Sequence, residues 1–324
     1  MFNIAIIGAG RMAQVHADIL KDLESCRLYG VFDPKTETAK NFARQYQMER
    51  LYNSEAELVA DPAVTAVLVC NYTDQHYETL VHLLNAGKKY IFCEKALVRK
   101  LSDGEDLLRR AQSSKVGIMV GHHRRYCPGY ARLHDLIQNG ELGTVRMTKV
   151  AFCHPGYVRQ WDDFFANFER CGGVILDMMT HLFDQTNWYF GEPASVSGNS
   201  VMFDRSQPLP MDFVSGTVTY KNGVICNIDG SWQRYGVGYD KIEVYGDRAC
   251  AIYEQGDKLH VYRQNEHTEI TVGNPSAYAE QMKAFVTMVE EGAAPRTGLI
   301  DGFNSVRVGL KMIEAVKQRQ TLSF

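Results

Sequence analysis

A chain of 324 residues, 45% hydrophobic and 23% charged, has the length of two ordinary domains and excludes a largely disordered, collagen-like or coiled-coil protein. Its net charge of −3 supplies no general basic field, so no nucleic-acid partner is expected. No apolar stretch approaches the roughly 20 residues that span a bilayer, and no basic leader precedes Ile4, so the expectation is no membrane and a cytoplasmic address.

Asn3 to Ile7 is a near-continuous apolar run that stops at Gly8, and Met12, Val15, Ile19, Leu20 and Leu23 follow at helical spacing. Between strand and helix, Gly8-Ala9-Gly10-Arg11-Met12-Ala13 reads G-x-G-x-x-A. Glycines there allow a tight turn and close approach of backbone to a pyrophosphate, while the helix start supplies N–H donors. Leu28 to Phe32 is a second strand ending at Asp33, 25 residues after Gly8. A carboxylate in that place accepts hydrogen bonds from ribose hydroxyls and repels a 2′-phosphate, which favours NAD over NADP; Lys35 nearby pulls the other way.

Helix over Thr36 to Tyr46, strand over Val64 to Cys70, helix over Gln75 to Asn85, strand over Tyr90 to Cys93, helix over Asp103 to Ser113 and strand over Val116 to Val120 complete the first domain. Strands alternating with helices predict a parallel sheet with right-handed crossovers, covering residues 1–122. Lys95, in Cys93-Glu94-Lys95, lies just past a strand end, where open parallel sheets bind ligands. By position alone, a lysine at a strand end is usually a solvated surface charge.

Residues 123–324 read differently. A helix is expected over Gly129 to Asn139, then strands over Thr144 to Phe152, Ala194 to Met202, Phe213 to Tyr220, Val224 to Trp232, Lys241 to Tyr245 and Ala249 to Tyr253. Asn222-Gly223 marks a hairpin turn. Helices return at Tyr278 to Glu290 and Gly302 to Gln318, free to pack back on the first domain. This predicts an α+β second domain. Within it Asp177 and His181 are i and i+4, on one face of an expected helix. The pair reads either as a general base whose imidazole a carboxylate orients, or as a capped helix with a satisfied core histidine. No third side chain completes a metal site. The eight scattered cysteines, without a Cys-x-x-Cys, read as reduced thiols.

Four motifs stand in order: Gly8 to Ala13, Gly87-Lys88 with Cys93-Glu94-Lys95, Gly121 to Pro128, and Gly172-Gly173 followed by Asp177, His181 and Asp184. Together they resemble the glucose–fructose oxidoreductase/inositol dehydrogenase family over nearly the whole chain. The resemblance implies a Rossmann domain, then a domain with a large open, mostly antiparallel sheet, a nicotinamide cofactor, and polyol, sugar or cyclitol substrates. It assigns Lys95, Asp177 and His181 to catalysis, and Gly8, Gly10, Arg11, Met12, Asp33, Asn71, His76 and Glu94 to the cofactor. The segments around Asp177 and Tyr239 look most like those of inositol 2-dehydrogenases, which implies Arg124, Arg125, His154 and Tyr239 at the substrate. The chain departs from the family at Ala96, where proline is usual, at Asn71-Tyr72-Thr73 in place of Thr-Pro-Asn, and before Pro155, where asparagine is common.

The expected function is NAD-dependent oxidation of a secondary alcohol of a cyclic polyol or sugar, with Lys95 or His181 as the immediate base. The alternatives are a dehydrogenase or reductase of another sugar, keto-sugar or diol, and a non-catalytic sensor on the same fold. A sheet face carrying Phe213, Val218, Ile228 and Trp232 is expected to be exposed and to pack against a second copy, giving a homodimer or homotetramer.

Overall fold

The computed structural model describes residues 1–114, 116–155, 164–202, 212–234 and 238–324. They divide into two compact units, residues 1–123 with 276–303, and residues 124–275 with 304–324.

The first unit is built on β1 (Phe2–Ile7), β2 (Cys26–Phe32), β3 (Arg50–Leu51), β4 (Ala66–Val69), β5 (Tyr90–Cys93) and β6 (Gly117–Val120). Ile4 to Ile7, Ala66 to Val69 and Ile91 to Cys93 are all buried, as a sheet covered on both faces requires. Every pairing is parallel, in the order β3-β2-β1-β4-β5-β6. The order reverses between β1 and β4, and the crevice at that switch point is where doubly wound sheets bind ligands. Helices Arg11–Leu20, Thr36–Gln45, His76–Asn85 and Leu101–Gln112 connect the strands, and helix Ala277–Glu291 packs against Arg11–Leu20. β3 and the short helix Glu55–Ala60, capped by Ser54 accepting from Glu57 N, are too brief to show in the pattern.

The second unit holds a sheet of nine strands among the described residues: β7 (Val145–Pro155), β8 (Pro193–Val201), β9 (Phe213–Tyr220), β10 (Ile225–Arg234), β11 (Tyr239–Gly246), β12 (Cys250–Glu254), β13 (Lys258–Arg263), β14 (Glu266–Thr271) and β15 (Leu322–Ser323). Only β7 and β10 pair in parallel; the other pairs are antiparallel. The Asn222-Gly223 turn is present, with Gly223 at φ +88° and Asn222 Oδ1 accepting from Val224 N. Helices Pro128–Gln138, Gly173–Asp177 and Met179–Phe190 cover one face.

Two expectations are corrected here. Val218, Ile228 and Trp232 are fully buried beneath this unit's own helices, and Phe213 is half-buried. Period-2 alternation fixes which residues share a face, but the helices decide which face is covered. The outer face instead carries Lys149, Thr217, Asn227, Asp229, Lys241 and Glu243, which line a groove of about 620 Å³. The expected continuous helix through Asp177 and His181 is also broken: one helix ends at Asp177, Met178 turns at φ −101°, and the next starts at Met179.

Glycines set two close approaches in this unit. Gly198 and Gly216 face each other on β8 and β9, and a Cβ on either would lie 2.7 Å from the thioether end of fully buried Met312. A Cβ on Gly129 would lie 2.1 Å from the ring of Tyr253, itself fully buried. Among the described residues no helix is long and apolar enough to cross a membrane.

Gly129→Ala should therefore destabilise the second unit by about 1–3 kcal/mol, the usual cost of overpacking a core. Urea unfolding followed by tryptophan fluorescence would show it, and an unchanged midpoint would mean that the Tyr253 ring moves freely.

Candidate active site

At the end of β1 the chain turns at Gly8, whose φ of +89° suits glycine. A Cβ there would lie 2.6 Å from Asn71 N, so the close passage of the segment after β4 demands glycine. Gly10 is different. Its φ is −81°, and a Cβ built on it meets nothing within 4 Å. Packing has no need of this glycine, and the open space over it is a cradle for a ligand. Helix Arg11–Leu20 starts next, with no side-chain cap and no acid in its first turn, leaving its positive end to an anion. Arg11 is exposed and Met12 half-buried.

Asp33 takes two backbone bonds, Oδ2 from Ala9 N and Oδ1 from Lys35 N, both 2.8 Å. These orient the carboxylate, and its remaining lone pairs can take ribose hydroxyls. Asn71 Nδ2 donates to Thr79 Oγ1, while Asn71 Oδ1 is buried with no hydrogen-bond partner among the described residues. An uncapped helix start, open space over Gly10, an oriented carboxylate and an orphaned amide oxygen fit a nicotinamide dinucleotide.

Lys95 stands beyond β5, half-buried, and its peptide bond to Ala96 is cis. Its surroundings are strongly ordered. Glu94 Oε2 accepts from Lys95 N at 3.1 Å, and Glu94 Oε1 accepts from His16 Nε2 at 2.6 Å. Burial pushes the Glu94 carboxyl pKa up, but the His16 bond and the charges of His16 and Lys95 overcome this and hold it below its ordinary value. Gly121 completes the fit, since a Cβ there would come within 3.0 Å of Glu94 Oε2. His76, fully buried, braces the loop from below, with Nδ1 2.8 Å from Ala96 O and Nε2 3.1 Å from Asn71 O. Burial lowers its pKa against the pull of those carbonyls. Glu94 and His76, expected from sequence at the cofactor, are both buried, Glu94 bonded to the Lys95 backbone and His76 to the Ala96 and Asn71 carbonyls.

In the second unit, Gly172 and Gly173 both have positive φ and turn the chain into helix Gly173–Asp177. Trp232 Nε1, from the covered face of β10, donates to Asp177 Oδ2 at 2.9 Å. His181 is buried one turn on, and the joint at Met178 is tied by Thr180 Oγ1 donating to Leu176 O. Asp184, on the same helix, is fully enclosed and holds Arg125 in a two-bond pair at 2.7 and 2.9 Å. Arg124 makes the matching pair with Asp240 and packs over the Tyr130 and Phe152 rings. Burial works against its charge, and Asp240 more than offsets this, so its pKa rises. Both guanidinium groups are committed to carboxylates inside this unit. Tyr239 and His154 are exposed, at neighbouring ends of β11 and β7.

The residue that sequence reasoning missed is His16. Its signal was a polar side chain in the buried stripe Ala13, His16, Ala17 and Leu20 of the first helix.

Comparison with known proteins gives two matches to family models. Residues 2–122 match an oxidoreductase family with an NAD-binding Rossmann fold, and residues 130–252 match the GFO/IDH/MocA C-terminal domain. The chain is similar to myo-inositol 2-dehydrogenase of Thermotoga maritima, 27% identical over 99% of this chain and 98% of the relative. It is also similar to an NADP(+)-using scyllo-inositol 2-dehydrogenase of Bacillus subtilis, 24% identical over 99% of this chain and 95% of the relative. A levoglucosan dehydrogenase solved with NADH and levoglucosan shares the fold, at a TM-score of 0.91 and 17% identity over 99% of both chains.

Two outcomes follow from this geometry. Gly10→Ala should leave the melting temperature unchanged, because its methyl meets no protein atom, yet weaken NADH binding at least about tenfold by filling the pyrophosphate cradle. Fluorescence titration of NADH checks this, and unimpaired binding would move the ligand elsewhere. His16→Ala leaves a buried carboxylate without its partner, which costs about 3–5 kcal/mol near neutral pH. Because the Glu94 pKa is held below its ordinary 4.5, its stabilising contribution is full above that pH and fades as pH falls through the lower folded value. Urea unfolding at a series of pH values should therefore show the deficit of His16→Ala shrinking below pH 4.5.

Proposed function

The chain belongs to the GFO/IDH/MocA family of oxidoreductases, and on that premise we propose that it oxidises a secondary alcohol of a cyclic polyol or sugar with NAD, as inositol dehydrogenases do. The observation that carries this reading is the turn Asp177 to His181, where a carboxylate held by Trp232 precedes a buried imidazole by one turn. Full-length likeness to inositol dehydrogenases supports the substrate class.

The bound dinucleotide supplies the acceptor for the carbinol hydride. His181 takes the hydroxyl proton, and Asp177 favours the imidazolium that results. Lys95 presents its ammonium to the developing alkoxide, stabilising it by charge and hydrogen bond, or, as the neutral amine, takes the proton in place of His181. Glu94, paired with His16, accepts from the Lys95 backbone N–H and so helps fix where that side chain starts. Asp33 supports NAD over NADP, since an oriented carboxylate repels a 2′-phosphate. Assembly into a homodimer or homotetramer would rest on the polar outer face of the second sheet.

A spectrophotometric screen of inositols and sugars with NAD+ and NADP+ tests the proposal. The expected result is NAD+-preferring turnover of a cyclic polyol, with Asp33→Ala eroding the preference. Lys95→Ala should lower kcat by more than roughly 10²-fold while NADH binding persists, because charge stabilisation is lost along with acid–base help. Near-normal turnover in that variant would overturn the mechanism, and no turnover of any polyol would overturn the substrate class.

A further inference from the structure

The far edge of the second sheet carries a cluster with no place in the chemistry above. Strands β13 and β14 form the terminal hairpin, with Leu259 and Val261 turned to the core. Their partners in the alternation, His260 and Tyr262 on β13 and His267 and Glu269 on β14, share the outer face. The register pairs His260 with Glu269 and Tyr262 with His267, which sets the two histidines on a diagonal. His260 Nδ1 and His267 Nε2 lie 3.1 Å apart, and one ring nitrogen from each histidine and a Glu269 oxygen all lie within 4.8 Å of one another. No other trio of histidine, cysteine or acidic side chains among the described residues is so disposed.

We propose that His260, His267 and Glu269 bind a divalent transition ion of the zinc type, with water completing the coordination. Two imidazoles and a carboxylate are the donor set such an ion prefers. Bonds of about 2.1 Å in a tetrahedral site put ligand atoms roughly 3.4 Å from each other, a few tenths of an ångström beyond the spacing the two ring nitrogens already have. The ion replaces the single proton that the two imidazoles share, so each contributes a lone pair. The Tyr262 ring stacks on His267 at 4.4 Å and 6°, fixing the plane from which its nitrogen points. Such outer support of a ligand ring is a usual part of a metal site. One group opposes the ion. Lys258 Nζ pairs with Glu269 at 2.6 Å, but the pair is exposed, and exposed pairs of this kind are weak enough to yield. The bound ion would add a further tie between the edge strand β14 and β13, beside the backbone pairing, the Lys258–Glu269 pair and the Tyr262–His267 stack.

Titration of the chelator-stripped, full-length protein with Zn2+ by calorimetry tests the site, with Co2+ absorption reporting tetrahedral geometry. Zinc taken up by cysteines elsewhere is measured in the double variant His260→Ala/His267→Ala. The expected result is one histidine-dependent equivalent per chain. Losing a ligand should weaken binding at least roughly tenfold, since losing only a ligand's supporting partner costs 10- to 100-fold. His267→Gln, which keeps size and polarity on an exposed strand, guards against a folding effect and should behave like the alanine variant. Lys258→Met should tighten binding by removing the competing cation. Identical isotherms for the wild type and the double variant would overturn the proposal, as would weaker binding in Lys258→Met, which would leave Glu269 no part in holding the ion.

Discussion

A carboxylate removed from water must be given a cation or several donors, and three that obey this rule organise both units. Glu94 is answered by His16, Asp184 by Arg125 and Asp240 by Arg124, each carboxylate side chain at most 10% exposed. Such pairs return little net stability, because desolvation consumes most of the attraction. What they confer is position. Glu94 also grips the Lys95 backbone, and Asp184 lies on the helix that presents His181. In each unit, a proposed catalytic side chain therefore sits beside a buried pair that fixes its backbone, while its own functional group takes no part in that pair.

The architecture was readable in advance because it follows from two periodicities and a few breakers. Val64 to Cys70, apolar throughout, could only be a strand covered on both faces, and the strand runs from Ala66 to Val69. Asn222-Gly223 fixed a hairpin because few residues other than glycine accept the required φ. The fingerprint at Gly8 to Ala13 was legible for the same reason, its glycines being local demands of a local turn. Choosing the covered face of the second sheet was a different matter. Val218 and Trp232 alternate correctly, but nothing within β9 or β10 says on which side the helices will lie.

Partnerships were the least legible feature. Arg124 finds Asp240 across 116 residues and Arg125 finds Asp184 across 59, distances at which spacing in the chain carries no information about contact. Arg124 and Arg125 could be recognised as unusual, but the carboxylates they pair with could not be read from the chain. The break at Met178 was hidden because all its neighbours are compatible with helix, and the Trp232 partner of Asp177 at the joint lies 55 residues on. The terminal hairpin β13–β14 escaped notice because β14 carries a single large apolar residue, Ile270, too little to mark a strand.

The facing glycines of β8 and β9 have a consequence for how this chain can change over time. Gly198, Gly216 and Met312 occupy one shared volume, in which the absence of two side chains is the condition for the presence of a third. Substitutions at the three positions are therefore non-additive, each setting what the others tolerate. The two glycines differ in what would release them: at 216 a Cβ would also lie 2.7 Å from Ser197 O, so a shorter residue 312 relieves the closest approach at 198 but not at 216. The order of replacement is thereby constrained, and a descendant with a larger residue at 198 should carry a smaller one at 312, while 216 stays glycine.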